Sequence, residues 1–105
     1  MLTAKGIVEL KKGESTKARD TFIEATAIER NYSRAYSFMA VSHLHSGEPE
    51  VAFRQLELAA KLDPNDPLPH VIASQMYSAL LMPEEAAREA GLATGKTDGE
   101  RSFGQ

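Results

Sequence analysis

Apolar and small residues recur along this chain at alternating spacings of four and three, the pattern of one face of an α-helix. Three segments show it most clearly, each with an alanine followed four and seven positions later by further apolar residues. The three sets are Ala18, Phe22 and Ala25; Ala52, Leu56 and Ala59; and Ala86, Ala90 and Ala93. Corresponding members of successive sets are separated by one constant interval. Its length, about 34 residues, is typical of stacked helical hairpins.

Short segments that break the helical pattern recur at the same interval. They are Gly13-Glu14-Ser15, Gly47-Glu48-Pro49 and Leu81-Met82-Pro83. Proline suits the first position of a helix because its φ angle is preset and it has no amide hydrogen that needs an acceptor. Pro49, Pro67 and Pro83 therefore indicate helix starts, and Asp66 is a natural N-cap because its carboxylate can accept from the free amides of the first turn.

These signals predict an all-α chain of six helices that pair as three antiparallel hairpins. The predicted helices cover about residues 2–12, 16–29, 34–46, 49–62, 67–80 and 83–94. The segment from 95 to 105 is polar and rich in glycine. We predict that it is a flexible tail.

The spacing of small, apolar and proline positions resembles the tetratricopeptide repeat. The middle repeat, from Ser33 to Asp66, matches best, with Ala40, Ala52, Leu56, Ala59 and Pro64 at the family's characteristic positions. The first repeat matches with Gly6, Ala18, Phe22 and Ala25, and the third with Ser74, Tyr77, Ala86 and Ala93. The resemblance covers about residues 1–94 and implies a right-handed solenoid of three repeats, at about 1–32, 33–66 and 67–94.

Several residues depart from the family pattern. Lys5 and Glu9 stand where the first repeat should carry apolar and aromatic residues, so we expect its first helix to be degenerate or partly exposed. His43 replaces an aromatic residue in the middle repeat, and Arg30 stands where the first repeat should end in proline. Ala90 is small where the family has a large residue, which predicts light packing of the last helix.

Composition and charge narrow the classes of function. The chain has 105 residues, 42% of them hydrophobic, which suits one modest globular domain. Its net charge of −3 provides no basic field for nucleic acid. No apolar run is long enough to span a bilayer, so membrane insertion is not expected. The absence of cysteine and of a visible signal peptide slightly favours the cytoplasm.

The family resemblance also implies where a partner would bind. In this family the first helices of the repeats line a concave groove that holds an extended peptide or a helix of another protein. The residues at the groove positions are Ile7, Lys11, Arg34, Phe38, Val41, Leu44, His45, Leu68, Val71, Ile72 and Gln75. The lining is largely apolar, which favours an amphipathic helix or apolar peptide, with Arg34 and Lys11 as charged anchors.

The sequence leaves alternatives to this interpretation open. Phe38 and Ile72 could be core residues between adjacent first helices. The chain could also be a structural segment of a larger multi-domain protein or a self-associating scaffold. No enzyme, cofactor or metal site is expected: Gly95-Lys96-Thr97 lacks the strand and helix of a phosphate-binding loop, and His43 and His45 lie on different faces of a helix.

Overall fold

The computed structural model of the protein describes residues 2–94, and that range contains six α-helices and no strand. The helices are α1 (Leu2–Lys11), α2 (Ser15–Ile28), α3 (Ser33–His45), α4 (Pro49–Leu62), α5 (Leu68–Ala79) and α6 (Pro83–Ala93). The prediction of an all-α chain is therefore confirmed, and every helix boundary lies within one residue of its predicted position. The predicted tail at 95–105 lies outside the described residues.

Consecutive helices pack in a regular order along the chain. α1 packs on α2, α3 on α4 and α5 on α6, and the second helix of each pair also contacts the first helix of the next. The first helices contact one another as well, α1 with α3 and α3 with α5. This order places α1, α3 and α5 side by side.

The turn within each helical pair uses the same backbone hydrogen bonds. The amides of Glu14, Glu48 and Met82 donate to carbonyls five residues earlier, at 2.9, 2.8 and 2.9 Å. The amide just before each of these donates to the carbonyl three residues before it. Together the two bonds form a Schellman motif, which requires one residue with positive φ at the end of the helix. The period of the sequence therefore appears in the backbone as three equivalent helix ends.

The residue with positive φ is glycine in two of these turns and leucine in the third. Gly13 and Gly47 have φ angles of 82° and 81°, and Leu81 has φ of 59°. A side chain with a Cβ atom costs about 1 kcal/mol in this region, because the Cβ approaches the following carbonyl oxygen. Leu81 gains little packing in return, since its side chain is 87% exposed.

We therefore expect Leu81→Gly to raise the free energy of unfolding by about 1 kcal/mol. Gly47→Ala is the matched opposite change and should lower it by about the same amount, because nothing lies within 4 Å of a Cβ placed there and only backbone strain acts. Urea unfolding followed by circular dichroism measures both. A leucine that is more stable than glycine at position 81 would contradict the equivalence of the three turns.

Two clusters of buried side chains form the core. The first contains Ala18, Phe22 and Met39 and joins α2 to α3. The second joins α3, α4 and α5 and contains Ala40, Ala52, Leu56, Ile72, Ala73 and Met76. Small residues allow helices to approach closely in the first cluster: a Cβ added to Gly6 would lie 2.6 Å from the ring of Phe22. Gly6 in α1 is therefore required by the ring that it faces.

The departures from the family pattern have different outcomes in α1. Lys5 is exposed, but Glu9 is 5% exposed and its carboxylate accepts a hydrogen bond from the hydroxyl of Thr21 in α2. A buried polar group is tolerated when it is hydrogen-bonded, so the hydroxyl of Thr21 stabilises the buried carboxylate of Glu9. At the last hairpin, Ser74 of α5 donates to the carbonyl of Ala86 in α6 at 3.0 Å.

Two buried serines of α3 make a matched pair with opposite expected effects. Ser33 donates to the carbonyl of Ala59 at 3.0 Å, whereas the hydroxyl of Ser37 has no hydrogen-bond partner among the described residues. Both side chains are at most 5% exposed. We expect Ser33→Ala to lower the free energy of unfolding by about 1 kcal/mol, and Ser37→Ala to raise it by roughly 0.5–1 kcal/mol.

The two serine variants would be compared by chemical denaturation under one set of conditions. The difference in sign excludes a general effect of alanine on helix propensity, since both positions lie in the same helix. Equal effects of the same sign would mean that Ser37 has a partner that the fold does not reveal.

His43 gives the fold a dependence on pH. Burial lowers the pKa of His43 below its ordinary value; the Glu48 carboxylate opposes this and the Arg19 guanidinium adds to it. The folded state therefore holds His43 neutral where the unfolded chain, with a pKa of about 6.5, already binds a proton. The unfolded state binds more protons below that value, so stability is fully present above it and is lost as the pH falls.

We expect the melting temperature to fall between about pH 7.5 and pH 5.5, and expect His43→Phe to reduce this fall. His45→Phe is the control, because His45 is exposed on the same helix. Melting curves recorded across this pH range test the assignment. An unchanged pH dependence in His43→Phe would assign the effect to another group.

Candidate partner-binding surfaces

The face formed by the first helices α1, α3 and α5 carries the residues that the family resemblance assigns to a groove, and we call it the first-helix face. Lys11, Arg34, His45, Val71 and Gln75 are exposed; Ile7, Phe38, Val41, Leu44 and Leu68 are half-buried; Ile72 is buried. Phe38, Val41 and His45 follow helical spacing on α3, and Leu68, Val71 and Gln75 follow it on α5. Since α3 and α5 are in contact, these side chains lie on neighbouring helices.

The half-buried apolar residues of this face also support the core. Ile7 and Phe38 pack against the cluster around Phe22, and Phe38 stacks on Phe22 with ring centroids 6.2 Å apart. Val41, Leu44 and Leu68 pack against the cluster around Leu56. Each of these side chains therefore divides its surface between the core and solvent.

The side chain of Ile72 belongs to the core. It is 7% exposed and lies in the same cluster as Leu56 and Met76. The sequence left open whether Ile72 lines a groove or lies in the core, and in this structure it lies in the core. Val71, one residue earlier and 39% exposed, is the solvent-facing apolar residue of α5 on this face.

Arg34 makes an ion pair within the chain. Its Nε and Nη2 atoms donate to the two carboxylate oxygens of Asp66 at 3.2 and 3.1 Å. Asp66 is 7% exposed and also accepts from the amide of Leu68 at 3.0 Å, so it caps the start of α5 as the sequence predicts. The bidentate pair fixes the guanidinium against the turn between α4 and α5. The role of Arg34 as a ligand anchor would require this pair to break or to share its donors.

A cleft lies on the opposite side of α5, between α4 and α6, and we call it the α4–α6 cleft. Its volume is about 530 Å³. The apolar lining comes from Phe53, Leu56, Ala60, Pro69, Ala73 and Tyr77, and the polar lining from Glu57, Lys61, His70 and Glu89. The sequence does not predict this cleft, because the family resemblance implies a binding site on the first-helix face.

A comparison of equivalent positions could have revealed the cleft. Ala73 lies one repeat length after Met39, and His70 lies one repeat length after Tyr36. Met39 is buried against Phe22 and Ala18, so in the preceding hairpin a large side chain fills this position. The smaller methyl group of Ala73 leaves space above α5 that Met39 occupies above α3.

The polar rim of the cleft contains one well-defined contact. His70 Nδ1 lies 2.8 Å from Glu89 Oε1, and this contact joins α5 to α6. Their side chains are 23% and 18% exposed, whereas Glu57 and Lys61 on α4 are exposed. The site therefore combines an aromatic and aliphatic floor with a few charged groups, as ligand sites commonly do.

The described residues contain no arrangement that indicates metal chemistry or a membrane span. Between residues 2 and 94, no group of three or more histidine, aspartate and glutamate side chains is placed to hold a metal ion. None of the helices in that range combines the length and the apolar character that crossing a membrane would need. Gly95-Lys96-Thr97 lies outside the described residues.

No protein-family profile matches the chain, and a search of curated proteins finds no match to it.

Proposed function

We propose that this protein is a non-catalytic protein-interaction module of the tetratricopeptide-repeat type, which binds a segment of a partner protein along the first-helix face. The observation that supports the proposal is a set of half-buried and exposed apolar side chains on the neighbouring helices α3 and α5. Phe38, Val41 and Leu44 lie on one helix, and Leu68 and Val71 on its neighbour. In the proposed complex, their exposed surfaces act together as an apolar strip on helices that the core holds in place.

The physical advantage of such a strip is that its side chains already have their binding conformation before the partner binds. Burying about 400 Å² of apolar surface would contribute roughly 10 kcal/mol before the costs of association. Much of that is lost to the ordering of the partner, but the module itself loses little, because Phe38 and Leu68 are already held by the core. An amphipathic helix or an apolar extended peptide fits this surface best.

The polar neighbours of the strip would then determine the orientation of the ligand more than its affinity. Lys11, His45 and Gln75 are exposed beside it. Because Arg34 is paired with Asp66, it supports the turn that carries α5 and contacts a ligand only at its edge. Exposed charges at a rim mainly affect association rate and salt dependence.

Selection of peptides from a displayed library against the purified protein tests the proposal. We expect selected peptides to lose at least about tenfold in affinity for Val71→Glu, because a carboxylate would be buried against an apolar ligand. Leu58→Glu on α4 is the matched control, since Leu58 and Val71 are both 39% exposed. Circular dichroism should show the same helix content for both variants.

Equal affinity for the wild type and for Val71→Glu would place the bound peptide elsewhere and would contradict the proposal. Loss of helix content in Val71→Glu would instead show that Val71 is required for folding. Val41→Glu on α3 gives the same comparison on the neighbouring helix, whereas Phe38→Glu would also remove the stacking of Phe38 on Phe22.

Self-association is the second candidate function, and one observation favours it. Leu80 and Leu81, adjacent residues in the turn of the last hairpin, are 47% and 87% exposed. A hydrophobic surface of this kind is typical of a contact with another chain or with a further part of a larger protein. Light scattering coupled to size exclusion over a concentration series would show growing mass for self-association. A constant mass of one chain favours the peptide-binding module.

A further inference from the structure

The α4–α6 cleft has the floor of an aromatic-binding site. Phe53 of α4 and Tyr77 of α5 stack with ring centroids 4.8 Å apart and rings inclined by 28°. Both rings are half-buried, so part of each faces the cleft, and Ala60 and Ala73 provide its smallest side chains. A flat aromatic side chain inserted here would meet two rings and two methyl groups, a combination that favours aromatic over polar ligands.

The rim of the cleft carries an excess of negative charge. It contains two carboxylates, Glu57 and Glu89, and one ammonium group, Lys61; Glu89 also contacts His70 Nδ1 through its Oε1 atom, which leaves Glu57 as the carboxylate without such a contact among the described residues. The chain as a whole has a net charge of −3, which acts in the same direction. A cationic ligand is therefore favoured over an anionic one on approach and at the rim.

The cleft is separate from the first-helix face. On α5, Val71 belongs to the first-helix face and Ala73 to the cleft. Two residues correspond to a rotation of roughly 200° around a helix, so these side chains leave α5 in opposite directions. A ligand in the cleft would not compete directly with one on the first-helix face.

We propose that the α4–α6 cleft binds a peptide segment of a partner protein that inserts one aromatic side chain between α4 and α6 and carries a lysine or arginine beside it. The aromatic ring stacks against Phe53 and Tyr77, and the adjacent cation lies near Glu57 and Glu89. The site exists because alanine and histidine occupy positions 73 and 70, where the preceding hairpin has methionine and tyrosine. It is independent of the function proposed for the first-helix face.

Tryptophan fluorescence gives a direct test, because the protein contains no tryptophan. The probe is the acetylated and amidated tripeptide Lys-Trp-Lys, titrated with the full-length chain. We expect a blue shift of its emission and saturable binding, with an affinity in about the millimolar to micromolar range for so small a ligand. The peptide Glu-Trp-Glu has the same ring with opposite charges and should bind about tenfold more weakly.

Two variants connect the signal to the cleft. Ala73→Met introduces the residue that fills the equivalent position at Met39, and it should reduce binding at least about tenfold by occupying the space. Ala60→Leu fills the cleft from α4 and should have a similar effect. Ala87→Met on α6 is the control, since Ala87 is exposed and does not line the cleft. It should bind the peptide as the wild type does.

The outcomes separate clearly. Loss of binding in Ala73→Met and Ala60→Leu, with helix content retained and Ala87→Met unaffected, supports the proposal. Unchanged binding in both filled variants would overturn it, as would no emission shift with Lys-Trp-Lys. Equal or tighter binding of Glu-Trp-Glu would contradict the proposal that the ligand carries a positive charge. Val71→Glu should leave the signal unchanged, so failure here and failure of the function proposed for the first-helix face are distinguishable.

Discussion

Replacing Phe22 with alanine is expected to lower the free energy of unfolding by about 3–4 kcal/mol, the largest effect that we predict for any single residue. Phe22 has no exposed surface and lies where α1, α2 and α3 meet. Its ring faces Gly6 of α1 and stacks on Phe38 of α3. Alanine would leave a cavity that these helices cannot close without moving relative to one another.

Ile23→Ala provides the control for Phe22. Ile23 is the next residue of α2 but is 49% exposed, so its truncation should cost no more than about 1 kcal/mol. Guanidinium unfolding of the two variants measures the difference. Similar losses in both would contradict the assignment of Phe22 as the side chain that joins the first two hairpins.

Replacing Asp66 with alanine is expected to lower the free energy of unfolding by about 2 kcal/mol. The Asp66 carboxylate accepts from the amide of Leu68 at the start of α5 and from two nitrogens of Arg34. Its loss removes the cap of α5 and the ion pair that holds the turn between α4 and α5 to α3. Because that turn positions the last hairpin, α5 and α6 should become the least protected helices in amide hydrogen exchange.

Asp63→Ala is the matched change in the same turn. Asp63 is exposed and its carboxylate accepts only from the amide of Asn65 among the described residues, at 3.2 Å. Its replacement should cost about 0.5 kcal/mol. Asp66→Asn is the intermediate case, since an amide oxygen can still cap α5 but cannot pair with Arg34 as a charge. A free energy of unfolding for Asp66→Asn equal to that of the wild type would show that the ion pair adds nothing.

The features that the sequence predicts well are those with a local cause. Helical period, proline at helix starts and glycine at helix ends depend on neighbouring residues, and so the six helices are placed to within one residue. The cap at Asp66 is predictable for the same reason. The positive φ of Leu81 is not predictable from the local sequence. The turn there has the same backbone conformation as those at Gly13 and Gly47, although leucine disfavours positive φ.

The features that the sequence does not predict depend on contacts between distant residues. Arg34 and Asp66 are 32 positions apart, and nothing local indicates that the first would be held by the second. Glu9 is buried and accepts a hydrogen bond from Thr21, twelve residues later, which its local sequence does not indicate. The α4–α6 cleft depends on the small size of the Ala73 side chain. A periodic pattern of apolar positions does not predict it, because alanine and larger apolar residues count equally in such a pattern.

These differences refine the proposed binding surface. Ile72 is buried in the core and is not part of the apolar strip on α3 and α5. Arg34 pairs with Asp66 in the turn before α5. A partner would therefore be recognised mainly by apolar contact. We expect its affinity to depend weakly on salt concentration, because exposed charges at the rim contribute little.

The most direct test of the proposed function is a nuclear magnetic resonance titration of the isotope-labelled protein with a peptide selected against it. We expect the amide resonances of Val41, Val71 and Gln75 to shift in proportion to bound peptide, while those of Leu58 on α4 and Ala27 on α2 stay in place. Shifts confined to α2, α4 and α6, with none on α3 and α5, would contradict the first-helix face as the partner-binding surface.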